Sequence, residues 1–144
     1  MREIKFRAWQ KYHKRMLPIT SIGWEDSQIK KVTVYQEATA PLLQTYGIGE
    51  YRLEALEIMQ YTGLRDKNGR EIYEGDVVES WYDDVTRGIA TVRTQGMIQS
   101  VRGGFVIHES DWISYPMIGL SRKTKVIGNI YENPELLERK AARG

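Results

Sequence analysis

From residue 63 onward, glycine recurs at short intervals: Gly63, Gly69, Gly75, Gly88, Gly96, Gly103, Gly104, Gly119 and Gly128. The runs between them are β-branched or aromatic in character, which suits pleated, half-buried strands. Turn signals at that spacing leave no room for long helices. They predict a small sandwich or barrel of antiparallel strands. The expected strands are Asp76–Tyr82, Gly88–Thr94, Gly104–His108, Trp112–Tyr115 and Thr124–Tyr131. Asp83 and Asp84 with Gly88 mark a hairpin loop between the first two. Within Asp66–Gly69, Asn68-Gly69 is the strongest short turn signal in the chain, and it should join extended segments at 57–65 and 70–79.

The N-terminal third has a different texture. Glu3–Trp9 alternates strictly, with Ile4, Phe6 and Ala8 on one face and Lys5, Arg7 and Trp9 on the other, the pattern of a half-buried strand. Tyr12–Arg15 is its expected turn, and Arg15–Ile19 its return strand, which Pro18 assigns to an edge. Lys31–Tyr35 reads as another strand. Residues 38–51, with Pro41, Gly47 and Gly49, read as a loop or short helix, and 52–57 as extended or helical, with extended preferred. At the other end, Asn133 is placed to cap a final helix, with Pro134 at its first position and Glu135 near the positive end of its dipole. About ten residues is too short for a helix to persist alone. Leu136 and Leu137 must therefore pack against this chain or a neighbouring one.

Composition removes several kinds of chemistry. The 144 residues include no Cys, so there is no disulfide frame, thiol nucleophile or thiolate zinc site. His13 and His108 are the only histidines, too few for a three-histidine metal site in one chain. Nine Tyr and four Trp against two Phe give most of the aromatic area a polar tip, suited to half-buried faces and interfaces. The net charge of +2 hides an uneven distribution. Arg2, Lys5, Arg7, Lys11, Lys14 and Arg15 face only Glu3 in residues 1–15, a local +5 that leaves −3 for the rest. No apolar run approaches the roughly 18 residues of a membrane span. Charges and Trp9 interrupt the basic N-terminus before a signal-peptide core forms. The expectation is a soluble protein of the cytoplasm.

Three constellations are chemically suggestive. Glu71, Glu74, Asp76 and Glu79 crowd into nine residues and could hold a hard cation or form an acid/base pair; solvated carboxylates at strand ends are the competing reading. His108–Asp111 offers an imidazole, two acids and a hydroxyl, which a turn between strands explains equally well. Gly47-Ile-Gly49 lacks the third glycine and the context of a dinucleotide fingerprint. The strongest binding candidate is the basic, aromatic N-terminus. Lys5, Arg7 and Trp9, with Lys11, Lys14 and Arg15, could hold phosphates and stack a base, and Arg102 could add a flexible contact. The alternative is the solvated face of an edge strand, where Lys and Arg discourage aggregation.

Three segments carry a resemblance: Arg2–Trp9, Met59–Val78 and Val126–Leu137. Together they resemble the YopX family, small proteins encoded by bacteriophages and prophages. Where that pattern has an Asp after the first Trp, this chain has Gln10. The resemblance implies a mainly β fold with an SH3-like barrel in the C-terminal part. It supplies no catalytic residues. The expected organisation is an N-terminal β-rich extension over 1–60, an SH3-like barrel over 61–133, and a C-terminal helix and tail over 134–144. The expected function is non-enzymatic, with no cofactor and no metal. The chain is read as an accessory or adaptor protein of the host cytoplasm that binds a host or phage protein and can self-assemble as a homo-oligomer. Nucleic-acid binding through Lys5, Arg7, Trp9, Lys11, Lys14, Arg15 and Arg102 is the alternative. A metal-dependent enzyme using Glu74, Asp76 or His108 is the third reading.

Overall fold

A computed structural model describes residues 3–36, 47–51, 55–84, 88–102, 104–110, 113–116 and 123–137. Among them are eleven strands: β1 Phe6–Gln10, β2 Arg15–Glu25, β3 Gln28–Gln36, β4 Gly47–Tyr51, β5 Leu56–Arg65, β6 Glu71–Tyr73, β7 Asp76–Asp84, β8 Ile89–Val101, β9 Gly104–Ser110, β10 Ile113–Pro116 and β11 Thr124–Asn129. All their pairings are antiparallel. The chain is mainly β, as the glycine spacing predicts. It divides into two compact units, Ile4–Gln60 and Tyr61–Gly144 with Met1–Glu3, and the division falls within β5.

In the N-terminal unit the hydrogen-bonded order is β4-β3-β2-β1-β5. β1 is therefore central, flanked by β2 and by the first half of β5. The core face is set by the register: Leu17 and Ile58 both stand opposite Ala8, and Val34 stands opposite Ile19. Ala8, Leu17, Val32, Val34 and Leu56 are buried there, with Ile19, Ile29 and Ile58 packed against them. The expected return strand is longer than Arg15–Ile19, and it is interior. Pro18 is nonetheless accommodated, because pairing with β3 begins one residue later, at Ile19, so its missing N–H disrupts no ladder bond there. Gly47–Tyr51 is a strand, correcting the reading of that stretch as loop or helix; residues 37–46 and 52–54 lie outside the described residues.

In the C-terminal unit β6 pairs with the second half of β5, and a five-stranded sheet follows in the order β10-β9-β8-β7-β11. Its core is Ile72, Val78, Ile98, Ile107 and Val126, with Leu64 and Phe105 against it. Among the described residues β10 and β11 are the two ends of this sheet, so no closed barrel forms by strand pairing. The reason lies at β11. Its outer edge meets a turn instead of a strand: Lys67 N donates to Thr124 O at 2.9 Å, and Val126 N donates to Asp66 Oδ2 at 3.0 Å.

That turn is the Asn-Gly signal of the sequence. Asp66 N donates to Arg70 O and Gly69 N to Asp66 O, which makes a three-residue loop with Gly69 in the left-handed region at φ 84°. Asp66 Oδ1 accepts from Asn68 N and Arg70 N, both at 2.9 Å. A second turn, at Glu74-Gly75, has Gly75 at φ 80°. Its backbone ties it to β8 and to the residue after β11: Gly75 N donates to Ile98 O, and Ile130 N donates to Gly75 O.

The polar run at His108 is strand through Ser110, not turn, while Asp111 and Trp112 lie outside the described residues. The final helix is described only at 135–137. Asn133 does not cap it in the expected way, because its Oδ1 accepts from Asn129 N behind it. Leu136 settles over Gly128, where an added Cβ would come within 2.9 Å of Leu136 Cδ1 and 2.5 Å of Asn133 Oδ1. Only glycine allows that approach, so Leu136 packs on the body of its own chain.

Asp66 is buried. Burial alone would raise its carboxyl pKa, but the three N–H groups of Val126, Arg70 and Asn68, with the charge of Arg70, outweigh burial and hold it below its ordinary value. A depressed folded pKa means the carboxylate's contribution is complete above the unfolded value of about 3.9 and is lost as pH falls through the folded one. Asp66→Asn keeps one acceptor oxygen and turns an amide toward a backbone donor, which should cost about 2–3 kcal/mol at pH 6. In urea unfolding the gap between wild type and D66N should shrink below about pH 4. Parallel pH profiles would remove the carboxylate from this role.

Candidate functional site

The basic residues singled out in the sequence do not form one surface. Arg7 and Trp9 share a face of β1, as the alternation predicts, while Lys5 lies just before the strand begins. Arg15, however, stands opposite Gln10 and so falls on the other face, that of Ala8 and Leu17. Lys11 and Lys14 lie in the exposed turn between β1 and β2, where Lys14 has φ 53°. Lys11 Nζ is 3.1 Å from Glu57 Oε1 on β5. Arg102 is exposed at the β8–β9 turn of the other unit. Because β1 is central, the face carrying Arg7 and Trp9 is not an open edge. Trp9 is only 9% exposed, and Met59, opposite Arg7, is buried as well. Its ring is occupied in packing.

Two of the acidic quartet have defined contacts. Asp76 is fully buried, and its Oδ2 accepts from Tyr73 N at 2.8 Å, closing the turn through Gly75. Glu79 Oε1 lies 3.8 Å from Arg93 Nη1. Among the described residues no group of three or more His, Asp or Glu side chains is placed to hold a metal ion. His108 is half-buried in β9, between Met97 of β8 and Ser114 of β10. Among the described residues no helix is long and apolar enough to cross a membrane.

Two aromatic side chains that the sequence reading passed over are the most exposed in the described residues. Tyr12, 81% exposed, sits in the β1–β2 turn, and Trp24, 58% exposed, sits beside the β2–β3 turn. The second is the more tightly built. Glu25 pairs with Gln28 across a two-residue loop, and Asp26 (φ 50°) and Ser27 (φ 64°) are both left-handed. This is the hairpin turn whose twist matches its strands. Two non-glycine residues in that region cost of order 1 kcal/mol each, so the surrounding ladder must hold them. A bulge between Gly23 and Trp24 re-aims the strand just before the tip. Ile29, opposite Trp24, packs on the core, while Trp24 stays in solvent. The available signal was the polar run Glu25–Gln28 between two apolar runs, with an indole immediately before it.

A model of the YopX protein family matches residues 5–138, nearly the whole chain. The chain belongs to the YopX family. Among solved structures it is similar to the crystal structure of protein EF1440 from Enterococcus faecalis, with 32% sequence identity and a TM-score of 0.63. The similarity covers 95% of this chain and 99% of that one. Among curated proteins none matches. Membership in YopX thus accounts for the three resembling segments and extends across the regions between them.

Trp9 of this YopX chain should behave as a core residue. Trp9→Ala is expected to lower unfolding free energy by about 3–5 kcal/mol in urea titration. A loss under about 1 kcal/mol would mean that the indole is not held by packing.

Proposed function

We propose that this chain is a non-enzymatic adaptor of phage or prophage origin, and that Trp24 is its anchor for a protein partner. The observation that carries this reading is a largely exposed indole at the end of a tightly constrained hairpin. Rigid aromatic side chains supply large contact area at low entropic cost, and Trp is among the residues most enriched at binding hot spots. The adaptor reading also draws support from the acids: Asp66 and Asp76 are engaged with backbone N–H groups of their own turns and, for Asp66, of Val126 on β11. An SH3-like character for the C-terminal unit is part of the proposal. Its support is the β7-β8-β9-β10 meander and the turn that meets β11 where another strand would. Nucleic-acid binding through residues 2–15 has less behind it, because the cations are divided between two faces and Trp9 is packed.

A photo-crosslinking side chain tests the anchor. Benzoylphenylalanine at position 24, in cells carrying the phage, should give a discrete covalent adduct that the same group at exposed Gln99 does not. An adduct with a second copy of the chain would make the partner itself. Indistinguishable patterns at the two positions would end the Trp24 reading.

A further inference from the structure

The second surface lies in the C-terminal unit, on the outer face of β11, β7 and β8. Register places Trp81 opposite Arg93, and Glu79 opposite both Lys125 and Gln95. These positions alternate with Val78, which points into the core, so their side chains share the other face. Lys123, two residues before Lys125, is exposed just ahead of β11. The fourth cation comes from the Asp66 turn. Lys67 N is fixed to Thr124 O, and its side chain carries Nζ to 4.4 Å from the centre of the Trp81 ring. Lys67 thus lies over the indole, Arg93 stands opposite it in register, Lys125 occupies the diagonal position beside Glu79, and Lys123 precedes it by two residues, cations from three separate parts of the sequence. Glu79 lies 3.8 Å from Arg93 on this face. The turn and helix acids Glu132 and Glu135 belong to the opposite end of β11, beyond Gly128.

We infer that this face binds single-stranded nucleic acid, with a base stacked on Trp81 and the flanking phosphates on Lys67, Arg93, Lys123 and Lys125. The cations favour a polyanion, and the ring distinguishes among polyanions. An acidic peptide would use the charges and leave the indole to Lys67. A base offers a flat π-face of matching size, and base–aromatic stacking with a cationic groove is how single strands are held without sequence preference. A duplex keeps its bases stacked on each other, so a half-buried ring that can take one base favours a single strand. Lys67 over Trp81 is a cation–π contact at the surface, weak enough to be displaced by a base and close enough to move onto its phosphate. This inference goes beyond the Trp24 reading and shares no residue with it. Together they would make the chain a bridge between a protein and a nucleic acid.

The test is fluorescence anisotropy of a labelled 20-nucleotide oligothymidylate with the full chain. Binding should be measurable at 50 mM salt. With three or four phosphates engaged, it should weaken about 20- to 50-fold at 200 mM. Trp81→Ala should weaken it about tenfold or more, and Trp81→Phe should retain most of it. Since Trp81 is partly buried, the exposed pair Lys123→Glu and Lys125→Glu gives an independent reading and should reduce both affinity and salt dependence. Lys5→Ala with Arg7→Ala, and Trp24→Ala, should leave binding unchanged. No binding at 50 mM salt overturns the inference, as does full binding by the Lys123/Lys125 variant. Displacement by polyglutamate with no effect of Trp81→Ala would make this an acidic-peptide surface and also overturn it. None of these results bears on crosslinking at position 24, so the two readings fail separately.

Discussion

The carboxylate of Asp66 satisfies three backbone N–H groups that no strand reaches: those of Asn68 and Arg70 inside its own turn, and that of Val126 on β11. An exposed strand edge presents unpaired donors and acceptors that invite another chain. Here the turn after β5 supplies one acceptor from a side chain and one donor from the backbone of Lys67, and the edge of β11 is met at Thr124 and Val126. Carrying charge makes the side-chain acceptor stronger than a carbonyl would be, which offsets the cost of burying it. The same contact fixes where β5 and β6 lie against β11, and therefore where Ile72 and Leu64 enter the core with Val126.

The position of Lys67 follows from that contact. With its N–H held at Thr124, the side chain has one strand to cross before it reaches Trp81 on β7. The helix at 135–137 determines the rest of this face. Leu136 packs over Gly128, Gln95 Nε2 donates to Leu136 O, and Val77, in register with Gly128 and Met97, is fully buried. One face of the sheet is thereby divided. The Gly128–Val77–Met97 row is covered, whereas Trp81 is half-buried and Arg93 exposed. A substitution at Gly128 and a substitution at Asp66 would each disturb the face that Trp81 occupies, from opposite ends.

Much of the strand content was legible because glycine and alternation are local signals. Asn68-Gly69 and Gly75 did what their chemistry predicts; the run Glu3–Trp9 gave a strand, but one that starts at Phe6 and buries both Ala8 and Trp9. Several of the failures are non-local. Pro18 spoke for an edge, and it sits where pairing on one side has not yet begun, within a strand that is otherwise interior. Lys5, Arg7 and Arg15 are close in sequence, yet a strand and its return place Arg15 on the opposite face. The Trp81 cluster was invisible for the reverse reason. Lys67, Trp81, Arg93 and Lys125 become neighbours only through the register of β11 with β7 and β7 with β8. Asn133 looked like a cap because its type and its proline neighbour are right, but a competing donor, Asn129 N, lies behind it.

Sheet interiors explain why the exposed aromatics are where they are. In the N-terminal unit both faces of β1 carry buried side chains, Ala8 on one and Trp9 on the other. A strand so enclosed has no face left for a partner, whatever charges its sequence carries. The exposed aromatics of that unit among the described residues, Tyr12 and Trp24, stand in or beside turns, and Trp81 of the other unit is half-buried on a sheet face. The chain's excess of Tyr and Trp over Phe fits this arrangement, since each of these rings keeps a polar atom for water when unbound. Basic residues follow the same geometry. Arg7 belongs to an enclosed strand, whereas Lys67, Arg93, Lys123 and Lys125 are exposed, with Lys67 over the half-buried ring of Trp81.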